Sequence, residues 1–399
     1  MYAQKRKRKR VNVGIDYWNA LLPNLSDVVR EITIDIRNIS DRIIKFADEL
    51  LLFGRDWSNY IITHKELRTI QEEVPFIGID SSLTPPLRFG PYLLSAVSAV
   101  TTSVQRLGEE CRKSLNVRMV RAPEKADPSH ATNEIKLEMF KMEVRKIQEG
   151  ISILFHDHDG KGAIFIDGPL VDPPRFPKRP EELEECYRNE YIKDRSEAIK
   201  AAIKDKIPIV GIVKRIIGNL LISYLQKSLS EEIAYININD HTLVTLLLKY
   251  KLPNILRNSL KLTSGEDILL ATKPFELPYD VTDYSNYREN GIYIYFSYIL
   301  PGISNPYTKV LRIELAFDRK PCEDELKESV WNITKLIAAT ILPGHSLPLP
   351  IILAHRACTI PKSTAKILIR EMVSRYFTNA YIQNYDLHVA IDLSNILLG

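Results

Sequence analysis

The chain has 399 residues, of which 45% are hydrophobic and 26% charged, so it can bury a large core and is long enough for two or three structural units. No apolar run approaches the roughly 18 residues that a membrane-spanning helix needs, and no signal-peptide core follows the basic N-terminus. These features predict a cytoplasmic protein with no membrane partner. Close cysteine pairs of the zinc-binding or redox type are also missing, so we expect reduced packing residues at Cys111, Cys186, Cys322 and Cys358.

A run of six basic residues at positions 5–10 marks a leader that we assign to residues 1–24 and expect to be disordered. Because the net charge of the whole chain is +4, the remainder is slightly acidic. Such a leader attracts polyanions without specifying one. A contact with nucleic acid and a solubilising tail are both consistent with it.

An N-terminal helical arm is expected over residues 25–70. Its evidence is a seam of apolar residues that alternate in steps of four and three, as in a heptad repeat. The seam consists of Leu25, Val29, Ile32, Ile36, Ile39, Ile43, Phe46, Leu50 and Phe53. It predicts a helix of about eight turns, capped by Asn24 and ended by Gly54. A narrow seam favours contact with a second subunit or a partner, and packing on the chain's own body is the alternative.

Strands that alternate with helices, together with antiparallel pairs, predict an α/β fold with a mixed sheet flanked by helices. We assign residues 71–361 to this central domain and residues 362–399 to a C-terminal helix with an apolar tail. The predicted elements are strands at 74–80, 163–166 and 207–213, helices at about 133–150, 181–204 and 215–229, a strand and a helix within 234–250 with a cap at Asp240, an antiparallel pair within 290–317, and helices at about 325–341 and 362–377. A polar loop, HDHDGKG, is expected at residues 156–162.

Two of the short apolar strands end on a carboxylate, Asp80 in VPFIGIDSS and Asp167 in AIFIDGPL. Taken alone, the Asp167-Gly168 pair is consistent with ordinary turn chemistry. If the strands are neighbours in the sheet, however, the two carboxylates meet, and a divalent cation between them relieves their repulsion. Mg²⁺ and Mn²⁺ prefer oxygen ligands of this kind. The pair therefore predicts a metal site of the type that two-metal phosphodiester hydrolysis uses.

A third acid is expected from the helix that precedes Asp167. Glu143 leaves room for the chain to turn back into the strand, whereas Glu138 lies five residues earlier and on a different face of the helix. We therefore predict Glu143 as the third acid and keep Glu138 as the weaker candidate. For either glutamate, a solvated helix face is the simpler interpretation.

The order of these acids resembles the ribonuclease H-like pattern, and the chain is more specifically similar to the NurA nuclease family. The resemblance is carried by FIGIDSS (76–82), AIFIDGPL (163–170), PIVGIVKR (208–215), INDHTLVTLLL (238–248), VLRIELA (310–316) and LPLPIILAHRA (347–357). It implies that Asp80, Asp167 and Glu143 bind Mn²⁺, with Mg²⁺ as the alternative ion. It also implies that His355 lies beside them as a further metal ligand.

The same resemblance implies a nuclease that degrades DNA from 5′ ends and cuts single strands endonucleolytically. Family members work as homodimers with the hexameric HerA translocase, an ATPase, in archaeal DNA end resection for recombinational repair. Single- and double-stranded DNA, a HerA-type translocase and a second copy of the chain are therefore the expected partners. One departure concerns residues 347–351, LPLPI, where the family usually carries tyrosines, so an aromatic residue for DNA contact is missing there.

Three further features have a functional and a structural interpretation. His355 follows an apolar run, which is typical of a core histidine, whereas the resemblance favours a metal ligand or a proton-transfer group. Lys214 ends a buried strand, where it either holds a scissile phosphate or extends toward solvent. The residues HDHD at 156–159 would point to opposite sides of an extended segment, so a polar loop is favoured over a metal cluster.

Arg312 and Glu314 share one strand face and are expected to pair.

The leading functional hypothesis is a metal-dependent DNA nuclease. A catalytically silent DNA-end adaptor and another ribonuclease H-like enzyme, such as an integrase or an RNA nuclease, are the alternatives. The two strand-end acids argue against the silent adaptor. The chain has no glycine-rich phosphate loop of the P-loop type, so ATP hydrolysis is not expected.

Overall fold

The computed structural model describes residues 47–361 except 90–91, 106–110, 124–127, 172–184, 229–237 and 279–283, together with scattered residues from 25 to 44 and from 363 to 375. Within this part the strands are β1 (Ile61–Thr63), β2 (Phe76–Leu83), β3 (Leu87–Phe89), β4 (Tyr92–Val104), β5 (Arg112–Pro123), β6 (Ala163–Asp167), β7 (Ile209–Val213), β8 (Glu266–Ile268), β9 (Leu270–Ala271), β10 (Phe275–Glu276), β11 (Tyr293–Leu300) and β12 (Leu311–Phe317). The helices are α1 (Ala47–Leu50), α2 (His64–Glu73), α3 (Pro128–His158), α4 (Glu185–Lys204), α5 (Leu220–Ser228), α6 (Asp240–Val244), α7 (Leu252–Ser259), α8 (Tyr284–Glu289), α9 (Glu323–Thr340) and α10 (Leu349–Cys358).

Ten of the described strands form one mixed sheet. Its order is β10-β11-β12-β7-β6-β2-β4-β3, with β5 paired to β4 and β9 paired to β11. The central strands β2, β6 and β7 run parallel, whereas β4 and β12 join them in antiparallel orientation. The mixed sheet flanked by helices confirms the predicted fold class, and the antiparallel pair predicted within 290–317 is β11–β12.

Helices cover both faces of the central strands. Gly150 of α3 approaches Ile77 and Ile79 of β2, so α3 lies against the face that these two side chains share. The opposite face carries Gly78, where an added Cβ would lie 2.2 Å from the carbonyl oxygen of Pro350 in α10. Only glycine allows the backbone of α10 to come this close to the strand. Asp80 alternates with Gly78 and therefore faces the same helix.

Helix α3 is longer than predicted, because it runs to His158 rather than ending near residue 150. Ile151 and Leu154 keep its apolar face in the core, while His156 and Asp157 lie on the solvent side of its last turn. Residues 156–158 are therefore helical, and the prediction of a polar loop over 156–162 is wrong for these three residues. The extended conformation expected for them is wrong as well. The chain turns at Asp159 and Gly160, both of which have positive φ.

The C-terminal end of the predicted seam packs on the chain's own core. The described helix there, α1, ends at Leu50 rather than at Gly54, because Leu51 forms a bridge with Thr272. Leu50 is buried, and the ring of Phe53 packs edge-on against Trp331. Strand β1 also lies within the arm predicted over residues 25–70. Most of the seam, the leader at 1–24, the strand predicted near 234–238 and most of the helix predicted at 362–377 lie outside the described residues.

Two other local expectations need correction. Strand β2 continues to Leu83 instead of ending at Asp80. Asp240 does not cap its own helix, since the side chain of Asn239 accepts the hydrogen bond from the Thr242 N–H. Instead, buried Asp240 accepts hydrogen bonds from the backbone N–H groups that begin α5 and from the hydroxyl of Tyr298. This cap explains why α5 begins at Leu220 and not near residue 215.

No helix in the described part of the chain is long and apolar enough to cross a membrane.

Candidate metal centre

The two predicted strand-end acids lie side by side. Strands β2 and β6 are parallel neighbours, and Ile79 stands opposite Ile166 in their register. The next residue on each strand is the acid, so Asp80 and Asp167 reach the same level of the sheet and the same face. Both carboxylates are nearly enclosed, with 9% and 6% of their side-chain surfaces exposed. The prediction that the two strands are sheet neighbours is confirmed.

Helix α10 brings a histidine and a cysteine over these acids. The Nδ1 atom of His355 lies 2.8 Å from Asp80 Oδ2 and 3.5 Å from Asp167 Oδ2. The His355 side chain is 58% exposed, so the imidazole forms the solvent-facing wall of the site. Three residues later on the same helix, the thiol of Cys358 donates to Asp80 Oδ2 over 3.1 Å. His355 is thus a half-exposed residue of the site and not a core histidine.

Lys214 reaches the same cluster from the end of β7. Its Nζ atom lies 2.5 Å from Asp167 Oδ2, and 26% of the side chain is exposed. The ammonium group offsets the charge of Asp167 but not that of Asp80. A partly exposed cation at this position also faces the solvent from which a substrate would approach.

Asp80 is the electrostatically strained member of the cluster. Burial, followed by the negative charge of Asp167, raises the pKa of Asp80 to about 7, and Glu143 adds to the rise. The hydrogen bonds from Cys358 and His355 act in the opposite direction. Burial and the charge of Asp80 also raise the pKa of the Cys358 thiol far above its usual range, which keeps the thiol protonated as a donor.

Glu143 lies at the edge of this cluster, on the face of the sheet covered by α3. It is buried, and its Oε2 accepts a hydrogen bond of 2.6 Å from the hydroxyl of Ser81, the residue after Asp80. Glu138 is separate from the site, because its carboxylate pairs with Arg118 at 3.4 Å on the surface. The structure therefore brings Glu143 near Asp80 and leaves Glu138 away from it. The role of Glu143 as a metal ligand stays a prediction.

Arg195 of α4 connects Glu143 to the segment that follows Asp167. The guanidinium group is completely buried, and it donates to Glu143 Oε1 over 2.7 Å. It also donates to the carbonyl oxygens of Leu170 and Pro169, which fixes the chain just beyond β6. Leu170 is held from the other side as well, since its N–H donates to Glu314, the partner of Arg312. The predicted pairing of Arg312 with Glu314 is confirmed.

Sequence reasoning missed both Arg195 and Cys358. Arg195 lies four residues after buried Tyr191 and four before buried Ile199. A charged residue on the apolar stripe of a helix could therefore have marked Arg195 as a buried, paired side chain. Cys358 follows His355 at a spacing that shares one helix face, but only once residues 349–358 are recognised as a helix. Among the described residues, the HDHD stretch contributes no group of metal-ligating side chains, whereas Asp80, His355 and Cys358 do.

The donor set at Asp80, Asp167 and His355 fits a divalent cation. Two carboxylates and one imidazole are common ligands of Mn²⁺ and are compatible with Mg²⁺. The pKa of Asp80 is raised first by burial and then by the negative charge of Asp167, and a bound cation would stabilise the ionised carboxylate against both. The protonated thiol of Cys358 is a poor ligand for such hard ions and supports Asp80 as a hydrogen-bond donor instead.

A solved crystal structure has a similar fold. The crystal structure of the NurA nuclease from Sulfolobus solfataricus aligns over 89% of this chain and 98% of that chain, with a TM-score of 0.52 and 16% sequence identity. This likeness supports the ribonuclease H-like fold that the sequence predicts. Crystal structures titled NurA and NurA with manganese each align over 88% of this chain, and over 97% and 98% of their own chains, with TM-scores of 0.49 and identities of 10%.

Sequence comparison gives the family directly. No curated protein sequence matches the chain. The NurA domain family, in contrast, matches residues 74–360, a stretch that contains every residue of the cluster described above. Because this match covers well over half of the sequence, the chain belongs to the NurA family of nucleases.

Proposed function

We propose that this protein is a divalent-metal-dependent DNA nuclease that acts as a 5′–3′ exonuclease and as an endonuclease on single strands. The observation that carries the proposal is the alignment of Asp80 and Asp167 on neighbouring parallel strands, with His355 against both carboxylates. Membership of the NurA family supports the reaction class. The polarity and the single-strand activity follow from the family resemblance.

The ion is proposed to be Mn²⁺, or Mg²⁺, held by Asp80, Asp167 and His355, with Glu143 as the predicted third acid. When bound, the ion supplies Lewis-acid activation of water and stabilises charge on the leaving oxygen. Asp80 and Asp167 are fixed by the sheet, so the ligands are preorganised. Glu143 is held beside Ser81, the residue after Asp80, by its ion pair with buried Arg195.

Lys214 and His355 are proposed to act on the DNA. Both are partly exposed beside the two acids, whereas the acids are enclosed. The ammonium group of Lys214 can bind a phosphate oxygen as a point charge. For His355, which contacts Asp80 through Nδ1, proton transfer at its exposed ring is the alternative to metal binding.

The biological role is proposed from the family. The protein acts with a HerA-type hexameric ATPase translocase in DNA end resection for recombinational repair, as a homodimer located at the nucleoid. Single- and double-stranded DNA are its substrates. Co-purification of the protein with such a translocase, and a change in cleavage when the two are combined, test this part.

Digestion of end-labelled nucleic acid tests the reaction. The wild type should cut 5′-labelled single-stranded DNA with Mn²⁺ and not with EDTA, and Asp80→Asn should abolish cutting. Asp318→Asn, an exposed acid on the surface, is the matched control and should cut like the wild type.

The same assay separates the alternatives. DNA binding without cleavage by the wild type would indicate the silent adaptor, and preferred cleavage of RNA would indicate another ribonuclease H-like enzyme. Near-wild-type cleavage by Asp80→Asn would show that the metal centre lies elsewhere.

A further inference from the structure

His355 and Cys358 lie one helical turn apart on α10 and both contact the same carboxylate. Asp80 Oδ2 lies 2.8 Å from His355 Nδ1 and 3.1 Å from Cys358 Sγ. One oxygen, one nitrogen and one sulfur atom thus all lie within 4.8 Å of one another. As a metal ligand, however, the Cys358 sulfur suits a softer ion than Mn²⁺ or Mg²⁺.

We propose that Asp80, His355 and Cys358 form a Zn²⁺ site that overlaps the site of the catalytic ion and inhibits the nuclease when zinc binds. The binding part stands on these three residues alone. The inhibitory part rests on the proposed function, because it requires Asp80 and His355 to serve the catalytic ion too.

The donor types favour zinc over the catalytic ions. Zn²⁺ binds carboxylate, imidazole and thiolate together, whereas Mg²⁺ and Mn²⁺ select oxygen and nitrogen. In a tetrahedral zinc site, ligand atoms are separated by roughly 3.3–3.6 Å, given the usual zinc–ligand bond lengths. The observed separations from Asp80 Oδ2, 2.8 and 3.1 Å, have to lengthen slightly, whereas His355 Nδ1 and Cys358 Sγ already lie within 4.8 Å of each other. Binding replaces the thiol proton, which passes to solvent.

The surroundings hold the three ligands in place and leave one direction open. Cys358 is buried against Val100 and Ala354, and the hydroxyl of Ser98 donates to its carbonyl oxygen. His355 is more than half exposed and gives an ion access from solvent. Three protein ligands leave the fourth coordination position of a tetrahedral Zn²⁺ ion open to solvent. A site with these ligands binds Zn²⁺ more tightly than Mn²⁺, following the usual order of affinities for divalent metals.

Two measurements test the site. Co²⁺ serves as an optical probe, because a thiolate ligand gives it a charge-transfer band in the near ultraviolet. Calorimetric titration with Zn²⁺ gives the affinity. We expect the band in the wild type and in Cys111→Ser, whose partly exposed thiol is not part of the three-ligand cluster, and its loss in Cys358→Ser. The Zn²⁺ Kd should rise at least about tenfold in Cys358→Ser. Zn²⁺ should also inhibit Mn²⁺-dependent cleavage by the wild type more strongly than by this variant, each compared with its own uninhibited rate.

A band that survives in Cys358→Ser, an unchanged Zn²⁺ Kd, or no band in the wild type would each overturn the site. Should Cys358→Ser fail to fold, His355→Ala replaces an exposed ligand and should weaken Zn²⁺ binding by at least about tenfold, while unchanged binding would overturn the proposal. Failure of the two proposals is distinguishable. A thiolate band in a protein that never cuts DNA refutes the proposed function alone, and Mn²⁺-dependent cleavage without the band refutes the zinc site alone.

Discussion

Asp80 carries most of the electrostatic cost of the candidate metal centre. Its carboxylate is buried beside Asp167, and Lys214 compensates only the second of these acids. Its pKa of about 7 means that ionisation of Asp80 in the folded, metal-free protein is disfavoured relative to the unfolded chain. The residues that make the site useful for a cation therefore make the metal-free protein less stable.

Replacing Asp80 by asparagine should stabilise the metal-free protein, and more so at high pH. The unfolded pKa is about 4 and the folded pKa about 7, so wild-type stability falls as pH rises between these values. Asparagine cannot ionise and avoids this loss. We expect the stability gain of Asp80→Asn to be about 3 kcal/mol larger at pH 8 than at pH 5. Urea unfolding in EDTA measures it, and a variant that is less stable than the wild type at pH 8 would contradict the origin of the shift.

Removing Arg195 should be costly because it leaves Glu143 buried and unpaired. Arg195→Met should lower the free energy of unfolding by about 3–5 kcal/mol. The double variant Arg195→Met with Glu143→Gln should recover much of that loss, because no unpaired charge remains. Arg118→Met breaks the exposed pair with Glu138 and should cost less than about 1 kcal/mol. Equal losses in the single and the double variant would mean that Arg195 acts through the two backbone carbonyls alone.

At the scale of elements, the site depends on the close contact between α10 and β2. Gly78 permits it, and the hydroxyl of Thr102 on the neighbouring strand also donates to the carbonyl oxygen of Pro350. The contact sets the height of His355 above the two acids. The alignment of the site is therefore controlled by a residue that has no side chain.

Gly78→Ala should displace α10 and misalign the site. The added methyl group meets backbone atoms of Pro350 that cannot rotate away. We expect a loss of stability of about 1–3 kcal/mol and a larger relative loss of cleavage. Gly265→Ala is the matched control, because an added Cβ there meets no atom within 4 Å. Thermal unfolding and cleavage rates measure both, and wild-type activity in Gly78→Ala would show that the helix height is unimportant.

The sequence predicted the elements that carry the acids better than the elements that complete the site. Apolar runs ending in Asp80 and Asp167 predicted two adjacent strands, and helical spacing separated Glu143 from Glu138. Helix α10 was missed because Pro348 and Pro350 suggest extended chain, although proline is well tolerated in the first turn of a helix. The contacts of Arg195 and Cys358 join segments far apart in the chain, and no local pattern encodes them.

At the scale of the whole molecule, the basic leader is predicted to add affinity for DNA. Deleting residues 1–10 removes six positive charges and should weaken binding to single-stranded DNA. The slope of log affinity against log salt concentration should also become shallower, by about 0.7 for each phosphate group that the leader neutralises in the full-length chain. Fluorescence anisotropy over a range of salt concentrations measures both. An unchanged slope would show that the leader does not touch the DNA.

The seam is predicted to hold two copies of the chain together. Ile36 and Ile43 lie one heptad apart, in the part of the seam that precedes the packed end at Leu50. Replacing both with aspartate should put charges into a buried contact and halve the mass seen by light scattering. A variant that stays dimeric would indicate a seam that faces solvent, and one that unfolds would indicate a seam that packs on its own subunit throughout.

The bond between Asp80 and His355 joins residues that are 275 positions apart. A ribosome therefore has to synthesise the chain as far as α10 before the two groups can meet. A truncated or partly synthesised chain carries Asp80 and Asp167 without α10, and the site lacks its histidine. If the proposed site is where DNA is cut, the order of synthesis protects DNA from incomplete chains, because cleavage then requires a chain that extends past α10 and has folded.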